Sequence, residues 1–324
     1  MRNRKWFSSI LLIGIILLVV GCTDNSKTKD AVEKTEKEPT QVSEEEVDKA
    51  SFPRTIKHME GETVIKEKPL KIATPYISFV DYLAVLDEYP IAGQGIEIIE
   101  KNFPYLSKMI EGKDIIDLGQ EVSLERLLAS EPDLIIAAND MADKYEQLSQ
   151  IAPTVIFPEA ADWRETLIEI AKVIGKEDTA DTVLAEFDRK SAEYKEQLAF
   201  RSGESVMFAM YSGKEQFVLW EEKRFDAFYI GLGLKPTEGA EIGGRLTLEG
   251  VVDLNPDHLF IVNNWQEPIE GGVKEDLKDN KVWQSLSAVQ KDQVYYLEDP
   301  SLPGPLALAK IKGINEVMEA MGKK

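Results

Sequence analysis

The chain has 324 residues, of which 43% are hydrophobic, and a formal net charge of −20 with one cysteine and two histidines. That length holds two cores of ordinary size and is too much for one small domain. The charge argues against a nucleic-acid binder, which shows a basic face. The lone Cys22 excludes an intrachain disulfide, and two histidines argue against a zinc site built from several imidazoles.

Arg2, Arg4 and Lys5 precede an apolar run, Ile10–Val20, which is too short to span a bilayer comfortably and has the layout of a secretory signal. The run ends Leu18-Val19-Val20-Gly21-Cys22, which resembles the lipobox of bacterial lipoproteins. A small residue before the cysteine lets a peptidase approach the backbone, and the thiol then accepts a diacylglycerol. An ordinary signal peptide with an incidental cysteine is the plain alternative. The resemblance implies a leader over 1–21 and a mature chain starting at a lipidated Cys22 on the outer face of the plasma membrane. Residues 23–50 hold nine acids and five bases and few large apolar groups. Such a stretch cannot bury enough surface to fold, so 22–51 is expected to be a flexible tether.

A first α/β unit is expected over 52–160. Arg54–Glu67 alternates around Gly61-Glu62 as an edge hairpin. Leu70–Ala73, Ile91–Ala92, Asp133–Ala138 and Thr154–Phe157 are strands, alternating with helices over Tyr76–Leu86, Ser123–Ser130 and Asp143–Ile151. Alternation of this kind indicates a largely parallel sheet. Linking helices fill 161–202. Trp163–Ile174 is one, and Asp178–Phe200, with Ala180, Val183, Leu184, Phe187, Ser191, Tyr194 and Leu198 at three- and four-residue steps, is a long amphipathic rod. Asp178 and Thr179 are its expected caps, and at 1.5 Å per residue it runs roughly 34 Å.

A second unit is expected over 203–324. Its strands are Glu204–Tyr211, Phe217–Trp220, Asp257–Asn263 and Val294–Leu297. Its helices are Phe225–Gly231, Thr247–Leu254, a turn at Lys281–Ala288 and a closing helix, Pro303–Met321. The fold class is thus α/β, with two lobes of mostly parallel sheet joined by one long rigid helix.

The two units carry a repeat. Ser123-Leu-Glu-Arg-Leu-Leu-Ala-Ser-Glu-Pro-Asp and Thr247-Leu-Glu-Gly-Val-Val-Asp-Leu-Asn-Pro-Asp align without a gap at an offset of 124 (249 − 125). Ser123 and Thr247 suit N-caps, which places Glu125 and Glu249 at the second helical position, against the positive end of the helix dipole. Helix-end stabilisation alone would explain one such glutamate. A matched pair could also meet a two-fold partner that carries arginines.

The lipobox, the two repeat copies, Ile151-Ala-Pro-Thr-Val, Trp283-Gln-Ser-Leu and Asp292-Gln-Val-Tyr together resemble the iron(III)–siderophore binding lipoproteins of bacterial ABC importers, in the right order over roughly 54–320. The resemblance implies two α/β lobes bridged by a long helix, with ferric siderophore bound between them as cargo. It also implies that Glu125 and Glu249 form salt bridges to arginines of a membrane permease dimer. Gly250 departs from the first copy's Arg126 but leaves both carboxylates in place. No cofactor is expected, because the metal arrives wrapped in its chelator, and a monomer is expected.

Ligands of open α/β sheets bind beyond the carboxyl ends of the strands. A bulky chelate needs aromatics and a few cations there. In the first unit the candidates are Tyr76, Gln94 and Asn139; in the second they are Tyr211, Trp220, Arg224, Arg245 and Trp265. Each has a bland reading as core, turn or surface. Arg245, after Gly243-Gly244, and Trp265, among asparagines, stand in expected loops. A mostly neutral hydroxamate suits this set better than an anionic catecholate does. Haem, cobalamin or ferric citrate on the same scaffold is the alternative. No G-x-x-x-x-G-K-S/T or G-x-S-x-G occurs, and neither His58 nor His258 has an obvious nucleophile to serve, so a surface hydrolase is disfavoured. A purely structural lipoprotein would show no ligand-induced rise in melting temperature.

Overall fold

The computed structural model describes residues 51–159, 162–241 and 243–322. The leader run, Cys22 and the tether up to residue 50 lie outside the described residues. Among those described, no helix is long and apolar enough to cross a membrane.

Strands β1 (Arg54–His58) and β2 (Gly61–Ile65) pair antiparallel with His58 opposite Gly61. The turn is therefore Met59-Glu60, two residues before the expected centre. The hairpin leans on the edge of the first sheet: the Met59 amide donates to Ile156 O at 3.0 Å and the Thr63 hydroxyl to Thr154 O at 2.7 Å.

The first lobe continues as β3 (Ile72–Thr74), α1 (Ile77–Val85), β4 (Ala92–Gly93), α2 (Ile96–Asn102), α3 (Pro104–Ile110), β5 (Ile116–Asp117), α4 (Leu124–Ala129), β6 (Leu134–Ala138), α5 (Tyr145–Ile151) and β7 (Thr154–Phe157). Its sheet runs β5-β4-β3-β6-β7, all pairs parallel. Every residue of β3, β6 and β7 is buried, as a parallel sheet covered on both faces requires. The sequence reading lacked α2, α3 and β5. Phe103-Pro104 cuts the helical stretch into two seven-residue pieces, too short for a clear periodicity.

Two helices follow. Helix α6 (Trp163–Ile174) is capped by the Asp162 carboxylate, which accepts from the amides of Arg164 (2.8 Å) and Glu165 (3.1 Å). It stops at Gly175, which takes the left-handed φ of 71° that favours glycine. Helix α7 (Glu177–Leu198) begins at once, so Lys176 is its N-cap without a side-chain bond. Asp178 and Thr179 fall inside its first turn rather than capping it.

The second lobe comprises β8 (Ser205–Tyr211), β9 (Gln216–Leu219), α8 (Asp226–Tyr229), β10 (Lys235–Pro236), β11 (Gly244–Thr247), α9 (Leu248–Leu254), β12 (His258–Asn263), α10 (Gly272–Leu277), α11 (Lys281–Gln284), α12 (Ser287–Gln290), β13 (Val294–Leu297) and α13 (Ala307–Met321). Its sheet runs β11-β9-β8-β12-β13, with β10 beside the start of β8. Strands β8, β10, β12 and β13 are parallel, while β9 pairs antiparallel with both β8 and β11. The expected turn at Lys281–Ala288 is two short helices, and Pro303 and Pro305 delay the closing helix to Ala307.

The 124-residue repeat is structural. Ser123 Oγ accepts from the Arg126 amide and Thr247 Oγ1 from the Gly250 amide, each at 3.3 Å. Glu131 and Asn255, equivalent residues ahead of Pro132 and Pro256, are both left-handed (φ 49° and 43°). The Asp133 carboxylate accepts from the Leu70 and Lys71 amides, and Asp257 accepts from the amide and hydroxyl of Ser205. Each aspartate thereby ties its own strand to the start of the neighbouring one.

The join between lobes is broader than the single rod expected from sequence. Helix α13 packs on α1, α6, α7 and α8. One apolar cluster holds Phe79 and Leu134 of the first lobe, Phe208 and Phe260 of the second, and Leu167, Phe187 and Ile314 of the helices between. Gly313 permits the closest approach: a Cβ there would meet Leu302 Cδ1 at 2.2 Å and Phe228 Cζ at 2.9 Å. Gly313→Val is expected to destabilise the protein by about 2–3 kcal/mol through overpacking. Because the core is shared, thermal unfolding followed by circular dichroism and by tryptophan fluorescence is expected to give one coincident transition. Two separated transitions would contradict the shared core.

Candidate ligand-binding cleft

The loops that follow β3, β4, β12 and β13 carry Tyr76, Gln94, Trp265, Pro300, Ser301 and residues 303–305. All of these line a chain of cavities. The largest chamber, about 600 Å³, is bounded by Trp163, Trp220, Arg224 and Lys310 with Asp162 and Asp226. A second, about 340 Å³, shares Trp220, Arg224 and Pro305 with it and adds Tyr76, Phe103 and Trp265. A third, about 480 Å³, shares Ile77 and Trp265 with the second and reaches Gln94 and Gln120. The shared residues make one groove of the three.

Five of the eight sequence candidates line this groove. Trp220 follows β9 directly. Gly243 lies so close beneath it that a Cβ would meet Trp220 C and Glu221 N, each at 2.9 Å, so this glycine serves a backbone crossing. Arg224 is half-buried and forms no ion pair among the described residues. Tyr76 packs edge-on against Phe79 at 4.9 Å, and burial raises its phenol above the ordinary range. Gln94 accepts from the Ile77 amide at 3.1 Å, so it supplies the side-chain cap that α1 lacks at Tyr76, and it donates to Gln120 O at 2.8 Å. Trp265 crosses between lobes. Its carbonyl accepts from Asn102 Nδ2 at 2.7 Å, and its ring lies 5.8 Å from Phe103.

Three candidates are not brought there. Tyr211 is buried in the second lobe's own core, donating to Asp276 at 2.5 Å and accepting from the Glu215 amide. A strand-ending tyrosine facing a cleft looks the same in sequence. Asn139 accepts from the Glu159 amide at 2.7 Å and holds a turn. Arg245 belongs to strand β11, opposite Val218, and is exposed, because Gly243-Gly244 opens a strand and not a loop.

Sequence reasoning missed Trp163, Phe103 and, above all, Lys310. Lys310 is 2% exposed and shares the apolar face of α13 with Ala307 and Ile314. A lysine at three- and four-residue steps from buried positions was the available signal. Its Nζ donates to Leu302 O at 3.0 Å. Burial first, and then Arg224, bring its amine down to about 7. Asp81 of α1 is equally buried and accepts from the Leu308 amide at 3.0 Å, so it caps α13 from the other lobe. Burial pushes its carboxyl up to about 7.

The repeat glutamates lie away from the groove. Glu125 and Glu249 are exposed at the second position of α4 and α9. The backbone amide and the Thr247 hydroxyl hold Glu249 below the usual carboxylate range. His258 is buried between Glu204 (2.6 Å) and Tyr295 (3.0 Å), and His58 bonds Thr63 at 3.0 Å, so both serve structure. Among the described residues, no group of three or more His, Cys, Asp or Glu is placed to hold a metal ion.

Two α/β lobes sharing one aromatic-lined groove define a two-lobed solute-binding protein. The periplasmic binding protein family matches residues 108–300, and the chain belongs to that family. Among curated relatives, the ferric-anguibactin-binding protein of Vibrio anguillarum is 28% identical over 291 residues, covering 82% of this chain and 88% of that one. The iron(3+)-hydroxamate-binding protein of Bacillus subtilis is 27% identical over 323 residues, covering 94% and 96%. Among solved structures, Staphylococcus aureus SirA complexed with staphyloferrin B superposes with a TM-score of 0.69 at 24% identity, covering 84% of this chain and 99% of that one.

Asp81 makes stability pH-dependent. Burial lets the folded protein keep this proton up to about pH 7, whereas an aspartate in the unfolded chain loses it near 3.8. Its contribution is fully present below that lower value and is lost as pH rises to about 7. Asp81→Asn keeps an acceptor for the Leu308 amide. It is expected to flatten the fall in melting temperature between these limits, and an unchanged slope would refute the assignment.

Proposed function

We propose that this protein is the extracytoplasmic capture component of an ABC importer, binding ferric siderophore in the groove and handing it to a permease dimer. The observation that carries this reading is the groove itself. Its chambers of about 600 and 340 Å³ are walled by Trp220, Trp265 and Tyr76 and share Arg224, which forms no ion pair among the described residues. That size and lining suit a bulky chelate with apolar parts. The relatives named for ferric anguibactin and for iron(3+)-hydroxamate support a chelated-iron cargo. Iron wrapped in its chelator needs no ligand from the protein.

The charge of the lining favours a hydroxamate. Three acids (Asp162, Glu221, Asp226) border the large chamber with Lys223, Arg224 and the buried amine of Lys310, whose charge is disfavoured by burial. Lys223 is already held by Glu221 at 2.6 Å. A trianionic tris-catecholate would meet no surplus of cations, whereas a near-neutral chelate needs none. Glu125 and Glu249, exposed and identically capped, would dock on arginines of the permease. Lipid on Cys22 and the tether would keep a monomer within reach of it.

Titration with ferric hydroxamates, catecholates and citrate is expected to quench tryptophan fluorescence, most strongly with the hydroxamates. Trp220→Ala and Trp265→Ala should each weaken binding about tenfold or more. Quenching by none of the panel would refute the assignment. Glu125→Arg with Glu249→Arg is expected to abolish iron uptake by cells and leave affinity unchanged. Undiminished uptake would remove the docking role.

A further inference from the structure

The floor of the large chamber holds an amine that neither the aromatic wall nor the docking glutamates explain. Lys310 lines the chamber although it is 2% exposed. Its Nζ lies 5.4 and 5.5 Å from the ring centroids of Phe225 and Phe228 and donates to a single carbonyl, Leu302 O. An ammonium has three donors, so the carbonyl leaves two of them. Among the described residues no carboxylate comes within ion-pair distance of it. The charged groups facing it are Asp81 from α1, Asp226 from α8, and Arg224 from the turn ahead of α8. Asp299 acts on Asp81 in turn, and Asp162, which also lines the chamber, acts on Asp226.

We propose that Lys310 is an anion receptor at the base of the large chamber, binding a carboxylate of the incoming chelate and taking a proton from solvent as that carboxylate arrives. The inference takes its ligand from the ferric-chelate reading and its location from the chamber. In the empty protein, burial and Arg224 both disfavour the charged amine. An anion within about 4–6 Å favours it, so binding and protonation are linked. The free amine plus a solvent proton becomes an ammonium paired with the carboxylate. Proton and carboxylate together add no net charge, so the balance of the lining is kept. The favoured cargo narrows to a hydroxamate chelate that carries a carboxylate.

Isothermal titration of the full protein above neutral pH, in phosphate and in Tris, reads the protons taken up on binding. With a ferric citrate–dihydroxamate the expected uptake is close to one, and affinity should fall as pH rises through and above about 7. Ferric desferrioxamine B, which has no carboxylate, should bind without uptake. Lys310→Met should lose the uptake and about tenfold or more in affinity for the carboxylate chelate only. Carbon-13 NMR of lysine ε-carbons gives a reading without substitution: the resonance titrating near neutrality should move to higher pH on binding. Equal uptake and affinity in Lys310→Met, or an unmoved resonance, would overturn the receptor and leave the ferric-chelate reading standing. Binding of iron-free citrate that depends on Lys310, with no ferric chelate bound, would keep the receptor and overturn that reading. Binding of no probe would overturn both.

Discussion

The two lobes share one large hydrophobic cluster besides the cores of their own, and the rest of the structure depends on that constraint. Phe79 and Leu134 belong to the same apolar cluster as Phe208 and Phe260, with α6, α7 and α13 filling the space between. Each large side chain in such a cluster contributes roughly 1.5–3 kcal/mol by leaving water. A wide rotation of one lobe against the other would expose many of them together. The cleft therefore has to work with small movements, and its walls must be largely formed before ligand arrives. Asp81 adds a polar tie across the same join, since a helix that begins at the cleft floor is capped from the opposite lobe.

Within each lobe the same local chemistry recurs 124 residues apart. A hydroxyl caps the helix, a left-handed residue and a proline end its connection, and an aspartate accepts from the start of the neighbouring strand. Ser123 and Thr247 each satisfy one amide of the first turn, and Glu125 and Glu249 stand exposed near the positive helix ends. Helix α13 shows the opposite arrangement. It has no cap of its own, borrows Asp81, and buries Lys310 a turn later.

The groove gathers groups of different origin. Trp265 reaches it from a loop after β12 and is fastened to Asn102 of the first lobe, while Trp220 follows an antiparallel strand. Aromatic faces and a half-buried guanidinium line it together. The buried amine beneath them supplies a charge that can appear when an anion needs it, a property that an exposed lysine lacks.

Period and punctuation in the sequence were enough for the α/β class, both repeat caps, the limits of α6, and the strands of the first lobe longer than three residues. These features rest on contacts between near neighbours in the chain, which leave a mark in the spacing of residues. Three candidates show where such marks fail. Tyr211, Asn139 and Arg245 look like Tyr76, Gln94 and Trp265 from their flanking residues, yet one is core, one holds a turn and one lies on an exposed strand. Lys310 was hidden for the converse reason: its local pattern marks a buried face, but only the approach of α1, α8 and the 300–305 loop makes that face a chamber floor. The sequence by itself determined the α/β alternation and the local caps at Ser123 and Thr247, because those rest on short-range forces. Only the tertiary structure decided which side chains share a cavity and which charges lose water, because both depend on groups far apart in the chain, as Asp81 and Leu308 are.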